Sequence, residues 1–246
     1  MARVVQQLRE PPHACIYLPD REASLDIRVM VDVGADELET LLERGWRRFG
    51  PVYFRPACAS CEACETLRIP SRAFRPSKSQ RRARKNAAHL VRATARPVID
   101  RERLDLYARW HAQRETSRGW EPSPLDAQRY AFDFAFEHPA VREVTFRDPD
   151  DGGLVGLGIV DETPRALSAV YFFWDPDRAP SSLGTAHIVM LVDDAAQRGL
   201  DHVYLGYRVT ACASLAYKGR FGPHELLEGR PAPRSLPVWR PGDEPT

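Results

Sequence analysis

The chain contains no run of eighteen apolar residues, the length at which a segment reads as a helix crossing a bilayer. Its opening, "MARVVQQLREPPHACIYLPDREASLDIRVM", lacks the apolar core of a secretory signal, so a soluble cytoplasmic protein is expected. An excess of one charge is also missing. Thirty-five Lys and Arg nearly cancel thirty-four Asp and Glu, which excludes a molecule that binds nucleic acid or membrane through net charge alone. Any basic surface must be local. Cysteine is scarce and odd in number, five in 246 residues with three clustered, which argues against a secreted disulfide framework and raises metal binding. Internal repeats and low-complexity tracts are absent; the twenty-one prolines stand singly between periodic segments.

The length suffices for one large or two small domains. An extended Pro-rich arm is expected to Pro19, then a strand from Ser24 to Val33. A capping box, Asp36 with Glu39, opens a helix whose apolar face is Leu38, Leu41 and Leu42 and whose left-handed end is Gly45. "WRRFGPVYFRP" reads as a strand, followed by a cysteine loop and a basic helix capped by Ser77 or Ser79. Past "LVRATARPV", Asp100 caps a helix with Leu104, Tyr107, Ala108 and His111 on one face, and Ser123 with Pro124 begins another. Strands "VREVTF", "GLVGLGIV" and "ALSAVYFF" follow. A helix carrying Leu183, Leu191, Val192 and Ala195 closes at Gly199 and leads to the strand "HVYLGY". This order predicts an α/β (α+β) mixed sheet whose last crossover is parallel and right-handed. It is also the skeleton of the acetyltransferase-like (GNAT) fold, placed in residues 96–246, with an N-terminal cysteine-containing domain in residues 1–95.

Cys58, Cys61 and Cys64 form C-x2-C-x2-C, three legs of a tetrahedron from one loop, and Cys15 is the natural fourth. Zinc and a [4Fe-4S] cluster both accept such ligands, and idle thiols are the bland alternative. Cys212, isolated in sequence, reads as a packed thiol or one lining a site. Arg72, Arg75, Lys78, Arg81, Arg82, Arg84 and Lys85 then occur without an acid among them. Such a run is either a solvated helix face or a binding surface for RNA phosphates, with Ser77 near the amides of a helix N-terminus.

Six collinear segments, "PPHACIYLPDR", "RPACASCEACETLRIPSRAFRPSKSQRR", "SAVYFFWDPD", "SSLGTAHI", "VYLGY" and "YKGRFGP", resemble the bacterial aminoacyl-tRNA-protein transferases, the arginyltransferases and their leucyl branch. The likeness runs from about Pro11 to Leu236. It implies transfer of an amino acid, Leu or alternatively Arg, from charged tRNA to the N-terminal amine of proteins beginning with Asp or Glu. It also implies a GNAT-like C-terminal half and a cluster or zinc on Cys15, Cys58, Cys61 and Cys64. The basic helix, with Arg75, Lys78, Arg81, Arg82, Arg84 and Lys85, then becomes the tRNA contact.

The residues suit that chemistry. An aminoacyl ester is already activated and an α-amine titrates at about 7.7 to 8.0, so no powerful base is needed. No Ser-His-Asp or Cys-His spacing suggests a covalent intermediate. Asp175, at the end of a central strand, is the candidate base or amine anchor, a turn aspartate being the bland alternative; Tyr207, the second catalytic candidate, either lines the acceptor cavity or packs in the core. Tyr217, Lys218 and Arg220 form a candidate fork for an acidic side chain. "RAPSSLGT" has one glycine where an acetyltransferase carries Gly-x-Gly, so coenzyme A is not expected; Ser181, Ser182, Gly184 and Thr185 are expected to meet the terminal adenosine of tRNA instead, helix capping being the bland account of two of them. Two departures stand out: Arg208 where the family has Trp, and Ser214 with Leu215 where it has Lys-Met. The first is expected to reshape the aminoacyl pocket. They keep open a metal-stabilised RNA-binding protein without transfer activity, and a CoA-type donor is the remaining alternative.

Overall fold

The computed structural model describes residues 1–119, 122 and 124–243, without the side chain of Arg118. In the N-terminal part, β1 (Arg3–Arg9) pairs antiparallel with β4 (Leu25–Val31), and β2 (His13–Ala14) pairs with β3 (Glu22–Ala23) between them. The expected arm therefore contains an edge strand. All seven residues of β1 face solvent, so no apolar alternation marks it. Helix α1 (Ala35–Glu43) buries Leu38, Leu41 and Leu42 as expected and ends at Gly45, φ +81°. Its cap lies two residues earlier than Asp36 and Glu39 suggest: the Glu37 carboxylate accepts from the amides of Gly34 (2.9 Å) and Ala2 (2.8 Å). Glu39 instead accepts from the Arg165 amide at 2.8 Å. The single strand expected next is a hairpin of β5 (Arg47–Phe49) and β6 (Val52–Pro56), turned at Gly50 with φ +51°. A Cβ at Gly50 would stand 1.9 Å from the Phe132 carbonyl oxygen, so the turn requires glycine. These strands make a four-stranded sheet in the order β1-β4-β6-β5.

The remaining elements are β7 (Glu65–Pro70), α2 (Lys78–Asn86), β8 (Val91–Ala95), α3 (Arg101–Arg118), α4 (Ala127–Asp133), β9 (Val141–Arg147), β10 (Leu154–Glu162) and β11 (Ala166–Trp174). After them come α5 (Leu183–Gln197), β12 (His202–Arg208), the short α6 (Ala213–Ala216), a 3-10 turn at Tyr217–Arg220, β13 (Glu225–Leu227) and β14 (Trp239–Pro241). An eight-stranded mixed sheet runs β14-β13-β7-β12-β11-β10-β9-β8, with the parallel pair β11–β12 joined through α5. The mixed α/β class and the helix and strand order expected of the acetyltransferase-like skeleton are therefore present. The sheet does not divide near Arg96: β7 hydrogen-bonds to β12 and β13, and β8 to β9. "ETLRIP", read as part of the cysteine loop, is thus a central strand.

The sheet's two faces are covered differently. On one, α5 and α2 pack Leu183, Val189, Val192, Ala83 and Ala87 against Leu67, Ile69, Val203 and Leu205. On the other, α3 and α4 set Leu106, Tyr107, Trp110, Tyr130 and Phe134 against Leu157, Ile159 and Phe173. Coverage on both sides explains why β10 reads as a continuous apolar run. The buried face of α3 is Arg103, Leu106, Tyr107, Trp110 and His111; Ala108 faces solvent, because Arg103 turns inward to hold Glu143 at 2.8 Å. α4 is capped by Asp126, which accepts from the Arg129 amide at 2.8 Å, past Pro124, while Ser123 lies outside the described residues. No described helix is long and apolar enough to cross a membrane.

Candidate active site

β11 and β12 pair only at Ala166–His202, Leu167–Val203 and Ser168–Tyr204, then part, although both strands continue. A bulge between Tyr204 and Gly206, where Gly206 takes φ +78°, turns the end of β12 away. The sheet therefore opens at its middle.

On the helical side lies a cavity of about 690 Å³ walled by Ser77, Ser79, Gln80, Arg82 and Asn86 of α2 and its cap, Ser181, Ser182 and Thr185 at the start of α5, and Tyr217, Arg220 and Phe221. Ser77 caps α2 by accepting from the Gln80 amide at 3.3 Å, and buried Gln80 returns a bond from its side chain to the Arg220 carbonyl at 2.9 Å. This strut ties α2 to the 3-10 turn. Ser182 precedes α5 at φ +66° with no side-chain cap; the Leu183 amide bonds the Pro180 carbonyl at 3.2 Å, and the Gly184 and Thr185 amides have no acceptor among the described residues. Arg82 and Arg220 supply positive charge to the wall. The cavity thus joins residues expected at the tRNA (Arg82) with residues expected at the substrate (Ser182, Thr185, Tyr217, Arg220). Gly184 lies beside them, against Phe172 and Trp174.

The other basic residues stay exposed on or near α2. Arg75 donates to the Arg72 and Phe74 carbonyls, Arg81 to Pro76, and Arg84 pairs with Asp193 at 2.7 Å. Lys78 and Lys85 have no ion pair among the described residues.

Below the opening, on the side of the four-stranded sheet, sits a second group. The Tyr207 hydroxyl donates to the carbonyls of Gly45 (2.8 Å) and Phe54 (3.2 Å), and burial pushes its pKa up. Its proton is committed to joining the two sheets. Lys218 does not fork with Arg220: its Nζ turns inward to the Tyr207 carbonyl at 3.0 Å, and burial, then the Arg47 charge, lower it to about 7. Arg47, unmarked in the sequence, fills the opening itself. Its neighbour Arg48 is buried too, in an ion pair with Asp161. Adjacent arginines between Trp46 and Phe49 were the one available signal.

Asp175 is buried at the end of β11, where its carboxylate accepts from the amides of Asp177 (3.0 Å) and Arg178 (3.3 Å) and from Arg109 at 3.0 Å. These contacts organise the turn into α5. Arg208 is not at the cavity; it pairs with Glu65 at 2.7 Å and Asp243 at 3.2 Å. Its charge is thereby neutralised against β7. Cys212 approaches Ser214 at 3.2 Å.

Cys15, Cys58, Cys61 and Cys64 are all half-buried free thiols. Burial, with Cys58, Cys15 and Cys61 nearby, pushes Cys64 up to about 12. Arg230 holds the loop by donating to the carbonyls of Cys58 (2.8 Å) and Cys61 (2.6 Å). The donors suit zinc or an iron-sulfur cluster chemically. Cys58 Sγ lies 3.8 Å from the Ser24 carbonyl, and no three His, Cys, Asp or Glu are grouped around a common point among the described residues.

Comparison with known proteins agrees along nearly the whole chain. The profile "Arginine-tRNA-protein transferase, N terminus" matches residues 13–82, and "Arginine-tRNA-protein transferase, C terminus" matches residues 102–228. An aspartate/glutamate leucyltransferase of Halorhodospira halophila is 35% identical over 91% of this chain and 94% of its own. One from Pseudomonas fluorescens is 36% identical over 88% of this chain and 91% of its own, as is one from Pseudomonas putida. With both halves of the profile matched in order around the opened sheet, the chain belongs to the arginine-tRNA-protein transferase family.

Proposed function

We propose that the protein transfers leucine from the 3′ ester of a charged tRNA to the α-amine of proteins beginning with Asp or Glu. The observation that carries this is the cavity in which α2, the start of α5 and the cations Arg82 and Arg220 meet beside the parting of β11 and β12. Phosphates of a single-stranded tRNA end suit those cations and the uncapped amides of α5. The ester then reaches the opening, and the acceptor amine approaches its carbonyl from the opposite face. The amine nitrogen forms a bond to the carbonyl carbon, the bond to the ribose oxygen breaks, and a proton passes from nitrogen to that oxygen. Since the acceptor is partly neutral near pH 7, the protein's contribution is to hold the two ends in line.

Leucine is favoured over arginine by the names of the relatives and by the cavity wall, which has no Asp or Glu to pair with a guanidinium. The deciding assay supplies labelled Leu-tRNA or Arg-tRNA with peptides that begin with Asp, Glu or Ala. Transfer of Leu to the Asp and Glu peptides alone is expected. No transfer from either tRNA would sink the assignment.

A further inference from the structure

Arg47 occupies an unusual place. Its Nη2 donates at 2.7 Å to the carbonyl of Ala169, the first β11 residue past the last pair with β12. Its guanidinium lies against Gly206, where a Cβ would stand 3.3 Å from Nε. Arg47 Nη1 is buried and has no hydrogen-bond partner among the described residues. The nearby acid, Asp161, is already taken by Arg48 in a two-bond pair. Half-buried Lys218 is the second donor here: its Nζ rests on the Tyr207 carbonyl at 3.0 Å and makes no ion pair among the described residues. Burying a charge without a counterion costs several kcal/mol. A buried guanidinium with an unused donor, beside an amine whose charge a counterion would restore, marks a place for an anion brought from outside.

Which anion follows from the sides of the sheet. The walls of the tRNA-facing cavity include neither Arg47 nor Lys218. Arg47 comes from β5 in the four-stranded sheet, to which Tyr207 also bonds. Lys218 lies near Cys64 and Cys212, and both thiols, like Tyr17 and Lys218 itself, are only half-buried. Nη1 of Arg47 and the two unused protons of Lys218 suit a small group with two oxygens rather than a backbone of phosphates.

We propose that Arg47 and Lys218 together receive the side-chain carboxylate of the acceptor's N-terminal Asp or Glu, making Arg47 a specificity residue. This rests on the transferase assignment above and moves acid recognition from Arg220 to Arg47, fifty-five positions before the family's C-terminal segment begins. The carboxylate supplies the counterion that both cations lack, and its fit sets the α-amine beside the parted strands.

The test measures kcat and KM for transfer from Leu-tRNA to peptides that differ only in an N-terminal Asp or Asn, and Glu or Gln. Wild-type protein is compared with Arg47→Met and Lys218→Met. Each variant is expected to reduce the Asp-over-Asn and Glu-over-Gln preference in kcat/KM by roughly tenfold or more, the effect of one lost charge-assisted bond. KM for the acidic peptides should rise while KM for Leu-tRNA stays unchanged. An equal fall for the acidic and amide peptides would overturn the proposal and assign the cations to the ester or to folding. If Arg47→Met does not fold, Lys218→Met alone decides. Wild-type transfer with unchanged preference in the variants defeats this inference only, whereas a wild-type protein inactive on every peptide defeats the transferase assignment itself.

Discussion

Removing Arg82 and Arg220 should weaken binding of Leu-tRNA in a salt-dependent way that the ion-paired Arg84 does not share. Both line the 690 Å³ cavity and have no acid partner among the described residues, so each is available to a phosphate. A cation on a single-stranded backbone contributes a slope of about 0.7 in log K against log salt. The double variant Arg82→Ala with Arg220→Ala should thus lose about 1.4 from the slope, and between 50 and 200 mM salt its disadvantage should change by about sevenfold. Arg84 is the control. Its charge is matched by Asp193 at 2.7 Å, so removing both members of that pair leaves the local charge unaltered and the slope nearly so. Filter binding or anisotropy with a non-hydrolysable Leu-tRNA analogue across a salt series reads both. An unchanged slope in the cavity variant, or an equal drop for the Arg84–Asp193 pair, would refute the placement of tRNA.

Asp175→Asn should lower the melting temperature more than it lowers kcat, because the carboxylate holds two turn amides and Arg109; a large kcat loss with an unshifted melt would restore it as a base. Tyr207→Phe deletes the bond to the Gly45 carbonyl and should cost about 1 kcal/mol in denaturant unfolding while transfer persists. Asp161→Asn strands the buried Arg48 and should cost about 3 to 5 kcal/mol by the same measurement. Burial lowers His187 to about 3 and His138 to about 4 in the folded chain. The unfolded chain therefore binds more protons below pH 6.5, and stability should fall as pH drops from there toward 4, by about 1.4 kcal/mol per pH unit for each histidine. His187→Phe should flatten that slope.

Much of the framework was readable because it is local. Asp100 and Ser77 cap their helices as expected, Gly45 and Gly199 end theirs, and the three antiparallel strands, α5 and β12 follow in order. What escaped depends on partners distant in sequence. β7 carries Glu65 and Arg68 beside Leu67 and Ile69, and it is a central strand only because β12 and β13 close on either side. The cap of α1 was misplaced for a local reason: Gly34, which has no side-chain oxygen to mark it, is the cap, and Glu37 reaches back to its amide. Of the candidate site, Arg82, Ser182, Thr185, Tyr217 and Arg220 do converge, since they flank helix starts that the pattern locates. Arg47 could not be singled out: nothing in "WRRF" shows that β11 and β12 will part and leave a carbonyl for it.

That dependence explains why the two family segments work as one sheet. The C-terminal segment supplies the parted strands, α5 and the 3-10 turn, yet β7 is inserted from the N-terminal segment between β12 and β13. α2 walls the cavity, and β5 delivers the guanidinium that fills the opening. The cysteine loop leads directly into β7, and Cys64 lies beside Lys218. A change in that loop has a short physical route to the acceptor side, one residue of backbone from Cys64 to Glu65, whose carboxylate holds Arg208 and Arg240 in place. The loop's consequence for transfer therefore needs no chemistry at the thiols: displacing β7 would shift β12, and with it the Tyr207 carbonyl on which Lys218 rests.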